Sequence, residues 1–124
     1  MPRTRPSLVL AVAAVAFTGC GDAGPTVREP TGSFSVTLDE FLIRPQKIEV
    51  PAGKRLTVSI TNRGARGHTF RIRGANRNVL AESTIKPGET RVRRNFRLAR
   101  GTYRMYCVLA NHEELGMYGE LKVG

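Results

Sequence analysis

The chain has 124 residues and a formal net charge of +10 at neutral pH. Once a targeting segment is set aside, about 90 to 105 residues remain, an ordinary size for one hydrophobic core, so a second domain is excluded. Trp is absent, and Val, Ile and Thr recur in short alternating runs between Gly and Pro, a composition that points to a small β protein without a long amphipathic helix.

The first twenty residues fall into a basic start (Arg3, Arg5), an apolar stretch from Leu8 to Phe17 and the small pair Thr18-Gly19 before Cys20. This is the layout of a secretory signal over residues 1–19. Its apolar stretch is about half of the roughly 20 residues that span a hydrocarbon core, which argues against a permanent transmembrane helix. Phe17-Thr18-Gly19-Cys20 resembles a bacterial lipobox, with Phe17 where Leu is usual. The resemblance implies cleavage before Cys20 and lipidation of its thiol; the other reading is a plain secreted protein with an incidental Cys20. Residues 20–32 are polar and punctuated by Gly and Pro, and read as a flexible tether. The folded domain is expected over residues 33–124. Loss of residues 1–19 removes Arg3 and Arg5 and no acid, leaving 18 basic and 10 acidic side chains, or +8. Export, and the scatter of the cations along the strands, exclude nucleic acid as a partner; the charge suits an anionic membrane surface or an acidic protein.

Along the domain, Phe34 to Leu38 alternates as a first strand, and Lys47 to Val50 closes a second after the break at Arg44-Pro45. Pro51-Ala52-Gly53 is a turn, and Leu56, Val58 and Ile60 alternate with polar residues in a third strand over Arg55 to Thr61. A glycine-rich loop, Asn62 to Gly67, leads to a fourth strand, His68 to Arg73, with Phe70 and Ile72 on the face of His68. Val79-Leu80-Ala81 reads either as a short strand or as a helical turn. Thr90 to Leu98 forms a strand with Val92 inward and Arg91 and Arg93 outward, and Thr102 to Cys107 and Tyr118 to Val123 form the last two. Tyr103 and Met105 share the parity of Cys107 and belong to the core. Seven to eight short strands at this spacing predict an all-β, Greek-key β-sandwich.

Two cysteines in an exported chain suggest a disulfide, but Cys20 sits at the processing junction while Cys107 ends an apolar strand. An unpaired thiol in the folded body points to metal ligation. Cys107, His112 and Met117 stand as C-x4-H-x4-M, so a strand delivers a thiol and one loop delivers an imidazole and a thioether. Gly116 and Gly119 relieve the backbone where that loop rejoins a strand. His68 is the only other His and supplies the second imidazole. Copper alternates between Cu(I), which favours soft sulfur, and Cu(II), which favours nitrogen; two imidazoles, a thiolate and a weak thioether suit both. Singly, His68 reads as a strand-edge His, Met117 as core packing and Cys107 as a small buried hydrophobe; together they read as one copper site.

These motifs resemble the cupredoxin family of type 1 blue-copper proteins, of the plastocyanin, azurin and pseudoazurin type, over nearly all of residues 34–124. Glu40 to Gly53 is similar to the family's opening strands, Asn62 to His68 to its first-ligand loop, and Gly101 to Cys107 to the strand entering its copper loop. The resemblance implies copper at one end of the sandwich, His68, Cys107 and His112 as strong ligands, Met117 as the weak axial one, and His112 nearest solvent. Thr69 stands where many members carry Asn, and its hydroxyl is expected to tie the two copper loops. Gly67 leaves room for its carbonyl to approach copper from the second axial side, as in some members. Glu113-Glu114 beside His112 is expected to place negative charge at the electron exit, where members are mostly apolar.

The function implied is electron transfer by one copper ion cycling between Cu(II) and Cu(I), in a monomer with no enzymatic activity. A redox protein of the cell envelope is the expected partner. The N-terminal lipid would hold the chain to the membrane, at the outer face of the cytoplasmic membrane or in the periplasm. The alternatives are copper capture or delivery, against which the scarcity of Met and His outside the site speaks, and a metal-free interaction module.

Overall fold

Apolar residues at every second position give each strand one face to bury. In the computed structural model, which describes residues 24–124, that pattern closes into two sheets. The strands are β1 (Val27–Arg28), β2 (Ser33–Asp39), β3 (Leu42–Arg44), β4 (Lys47–Val50), β5 (Leu56–Asn62), β6 (Arg71–Arg73), β7 (Asn78–Ala81), β8 (Thr90–Phe96), β9 (Gly101–Tyr106) and β10 (Tyr118–Val123). One short helix, α1 (His112–Leu115), lies between β9 and β10. The first sheet runs β1-β4-β10-β9-β6-β7 and the second β3-β2-β5-β8. The proposed signal segment and Cys20 lie outside the described residues.

The fold is the expected β-sandwich. In β5, Leu56, Val58, Ile60 and Asn62 are buried and the residues between them are half-buried. Leu38, Leu56, Val58 and Ile60 of the second sheet share one apolar core with Ile48, Ile72, Met105 and Leu121 of the first. The parallel pairs β2·β5 and β4·β10 join strands whose connecting segments cross between the sheets.

Four local expectations are corrected. The described residues hold ten strands, because β1 and β3 are too short to show alternation, and Val79–Ala81 takes the strand option, in β7. The tether is shorter than residues 20–32: Val27 and Arg28 pair with Ile48 and Glu49, and the Glu29 amide donates to the Glu49 carbonyl at 2.9 Å. The free edge of β4 offers hydrogen bonds that composition does not reveal. His68 does not open a regular strand; it makes an isolated bridge to Ile85, and β6 begins at Arg71. In β8, Val92 is exposed and lies opposite Ser59, whereas Arg91 lies opposite the buried Ile60. Arg91 turns toward the sandwich edge because Glu89 and Glu82 receive its guanidinium, at 2.6 and 3.5 Å.

Ile60 sits between Val36 and Arg91 in the central pair of the second sheet, fully buried. Ile60→Ala should lower unfolding free energy by about 2–5 kcal/mol through lost transfer energy and the cavity left behind. Urea denaturation of both proteins measures this; a loss below about 1 kcal/mol would contradict the packing described.

Candidate metal centre

Strand pairing brings two distant segments to one end of the sandwich. Arg71, Ile72 and Arg73 of β6 pair with Tyr106, Met105 and Arg104 of β9, so the residues leading into β6 lie beside those leaving β9. His68 is fixed on the first side by a two-way bridge, donating to the Ile85 carbonyl at 3.1 Å and accepting from the Ile85 amide at 2.7 Å. On the second side the Cys107 amide donates to the Met117 carbonyl at 3.2 Å, and the Met117 amide to the His112 carbonyl at 3.0 Å. The 107–117 loop is thereby closed on its own backbone. Its four-residue helix α1 starts at His112, a local turn not expected from the sequence. Gly116, at φ 128°, reverses the chain after it, and a side chain there would crowd the Phe41 carbonyl.

The result is a tight donor cluster. The Nδ1 atoms of His68 and His112 are 3.3 Å apart, and Cys107 Sγ is 3.7 Å from His112 Nδ1. All three donor atoms lie within 4.8 Å of one another. His68, Cys107 and Met117 are fully buried, and His112 is the most accessible of the four at 8%. Burial, followed by the neighbouring His68, pushes the pKa of His112 below its usual value, which favours the neutral imidazole that a metal requires.

Thr69 ties the two loops together as anticipated. Its amide and hydroxyl approach Cys107 Sγ at 3.4 and 3.5 Å, and its Oγ1 accepts from the Val108 amide at 3.0 Å. Hydrogen bonds to a ligating sulfur restrain it and withdraw charge from it.

The residue that sequence reasoning missed is Glu40. Its carboxylate accepts from the Ala65 amide at 3.1 Å and the Arg66 amide at 2.8 Å, and contacts His68 Nε2 at 3.1 Å. The Ala65 amide, opposed by partial burial and reinforced by the Arg66 amide and His68, lowers the carboxyl pKa from 4.5 to about 2. An ionised carboxylate only accepts, so Nε2 of His68 carries the proton and Nδ1 presents a lone pair to Cys107 and His112. This is the carboxylate–histidine arrangement that orients metal-binding imidazoles. Gly64 makes the seat for it, because a Cβ there would overlap the Glu40 carboxylate. Buried Asn62 frames the same loop, donating to the Arg66 and Ile85 carbonyls at 2.7 and 2.8 Å while its Oδ1 accepts from Gly64 at 2.8 Å. Beside Gly67, the space a side chain would need is taken by the Thr84 methyl.

The expectation for Glu113-Glu114 is revised. Glu113 Oε1 receives Arg73 Nη2 at 2.9 Å and Arg104 Nε at 2.7 Å, which offsets its charge and leaves Glu114 as the exposed acid. Apolar side chains stand on the His112 loop and beside it as well. Phe41 packs on its ring at 4.8 Å between centroids, and Leu42, Val108 and Leu115 are 37%, 40% and 51% exposed.

Two imidazoles, one thiol and a buried thioether on the intervening loop suit a copper ion, the soft and borderline donors matching both of its common oxidation states. The known proteins that the chain resembles agree with that chemistry. Residues 8–119 match the family described as Cupredoxin-like domain. In fold, the chain is similar to reduced auracyanin from Roseiflexus castenholzii, with a TM-score of 0.70 at 19% identity, covering 77% of this chain and 99% of that one. It is also similar to rusticyanin from Thiobacillus ferrooxidans, with a TM-score of 0.66 at 17% identity, covering 86% and 85%. The copper-containing nitrite reductase of Thermus scotoductus gives a TM-score of 0.61 at 16% identity, covering 80% of this chain but 28% of the enzyme. No curated protein sequence matches the chain.

Because the folded-state pKa of Glu40 lies below its ordinary value, the stability it adds is full above about pH 4.5 and is lost as pH falls toward about 2. Denaturant unfolding of the metal-free protein across that window should show the loss, and Glu40→Gln should flatten it. Parallel profiles for the two proteins would count against the clamp.

Proposed function

The chain belongs to the cupredoxin-like domain family, and from that premise we propose that it is an exported type 1 copper protein carrying single electrons at the cell envelope. The observation that carries this reading is the buried cluster of His68, Cys107 and His112 donor atoms, all within 4.8 Å. In it, His68, Cys107 and His112 act as the strong ligands and Met117 as the weak axial one. Bound copper supplies a one-electron Cu(II)/Cu(I) couple.

The protein's part is to hold these donors still and dry. Glu40 fixes the His68 ring, Thr69 fixes the sulfur, and the Cys107–Met117 and Met117–His112 backbone bonds fix the loop. Ligands that do not rearrange between oxidation states keep the barrier to electron transfer low. His112, the one ligand with an exposed edge, lies beside the apolar side chains of Phe41, Leu42, Val108 and Leu115. A redox protein can press against them and exclude water there.

We read the chain as a carrier without catalysis of its own. Its likeness to nitrite reductase reaches 28% of that enzyme. The chain spans 99% of reduced auracyanin, 85% of rusticyanin and 100% of auracyanin A, the last described as a blue copper protein. Export through residues 1–19, anchoring through a lipid on Cys20 at the outer face of the cytoplasmic membrane or in the periplasm, and action as a monomer complete the proposal.

Addition of Cu(II) to the purified protein should produce an intense visible thiolate-to-copper band with the matching electron spin resonance signal. Cys107→Ser should abolish both; their persistence in that variant would sink the assignment. Fast electron self-exchange with slow copper release is expected, whereas slow exchange with ready release to an acceptor would identify copper delivery instead.

A further inference from the structure

Cations that look scattered in the sequence are gathered by the fold, six of them at the end opposite the metal. Three segments meet there. The β4–β5 turn carries Lys54 and Arg55, the β6–β7 turn carries Arg77, and the end of β8 with the β8–β9 turn carries Arg94, Arg97 and Arg100. Strand register places them together: Val50 pairs with Val123 and Val123 with Gly101, at the far end of β9 from Cys107. Six residues of β-strand separate Gly101 from Cys107, about 20 Å at 3.3 Å per residue. Arg77 and Arg97 line one shallow groove against Tyr103, and Arg77 and Arg100 line the adjoining one.

All six cations are exposed, and none takes part in an ion pair among the described residues. The three segments that bear them contain no acid. Among the described residues the nearby carboxylates are Glu29, Glu49, which already meets Arg28 at 3.6 Å, and the terminal carboxylate of Gly124, beside Arg100; the six cations outnumber them. The metal end differs. Asp39, Glu40, Glu82, Glu89, Glu113 and Glu114 lie there, and Arg73, Arg91, Arg93 and Arg104 are paired with them. Acids are thus interspersed with the cations at the metal end, whereas the opposite end is the more strongly cationic.

We propose that the end formed by Lys54, Arg55, Arg77, Arg94, Arg97 and Arg100 is a docking surface for an anionic phospholipid membrane, holding the metal end away from the bilayer. Tight protein contacts centre on anchors seated in well-packed pockets, whereas the grooves beside these cations are shallow. The large exposed apolar side chains, Leu42, Val92, Val108, Leu115 and Tyr118, all lie elsewhere. A fluid lipid surface needs no anchor, because its headgroups move to meet the cations, each of which adds to the attraction near the surface. Turns projecting from one end of a sandwich also suit a plane. The proposal does not depend on what the metal does.

The test is sedimentation of the full chain with vesicles of phosphatidylglycerol and phosphatidylcholine in equal parts, against vesicles of phosphatidylcholine alone. The second set subtracts the apolar contribution of the N-terminus, and that of Arg3 and Arg5, common to every variant, cancels when the variants are compared. The excess binding to the anionic vesicles should fall steeply with salt. The variant Arg77→Glu/Arg97→Glu/Arg100→Glu should lose about a hundredfold of it, and the neutral variant Arg77→Gln/Arg97→Gln/Arg100→Gln a smaller part. A variant matched in charge but nearer the metal, Arg44→Glu/Arg63→Glu/Lys86→Glu, should keep it. Circular dichroism verifies that each variant is folded. Equal losses in the two reversed variants would reduce the effect to net charge and overturn the proposal. So would the absence of any preference for anionic vesicles, or displacement from them by polyglutamate at equal charge, the result expected of a surface built for an acidic protein.

Discussion

One carboxylate connects the sandwich to the chemistry at its end. Glu40 lies just past β2 in the second sheet, while the ring it orients, His68, leads into β6 of the first. Its two amide contacts hold the Ala65–Arg66 backbone and the third fixes which nitrogen of His68 faces the other donors. Without that acceptor the imidazole would be free to exchange tautomers, and the loop before it would lose two of its hydrogen bonds. The stability of the fold and the readiness of the site are thus set partly by the same group.

Ligand identity was legible because the chemistry requires rare residue types in a fixed order. Cys107, His112 and Met117 share one loop, and with two His in the chain the remaining imidazole had to be His68. Strands such as β2 and β5 were legible for a different reason: seven residues are enough for alternation to exceed chance. Glu40 gave no such signal. It contacts a residue 28 positions away, and a Glu near a strand end usually reads as a solvated charge. The orientation of β8 failed for a third reason. It is an edge strand with one neighbour and an irregularity opposite Leu56 and Val58, so Arg91 could take an inward position by reaching carboxylates at the rim, and Val92 could face water at small cost.

Charge pairing distinguishes the two ends of the molecule as clearly as the donors do. Glu113 illustrates the point: in sequence it stands next to a ligand and threatens to impose a negative rim, yet Arg73 and Arg104 converge on a single one of its oxygens. Those same guanidinium groups lie over the rings of Tyr106 and Tyr118 at 4.3 Å, so cation, carboxylate and aromatic faces form one continuous layer outside β9 and β10. The layer stiffens the strand that delivers Cys107 and leaves apolar side chains exposed beside His112.

The two-residue strand β1 has a consequence for self-assembly. A bare strand edge is a template on which another chain can build, and β4 would present one if residues 27 and 28 did not cover it. The opposite sheet protects its β8 margin by another means, with Arg93 and Arg94 exposed along it, so that a second copy approaching edge-on would meet like charge. Trimming the chain to begin at residue 33 would strip the first of these guards. It would leave the metal cluster untouched while opening a route to fibrous aggregates.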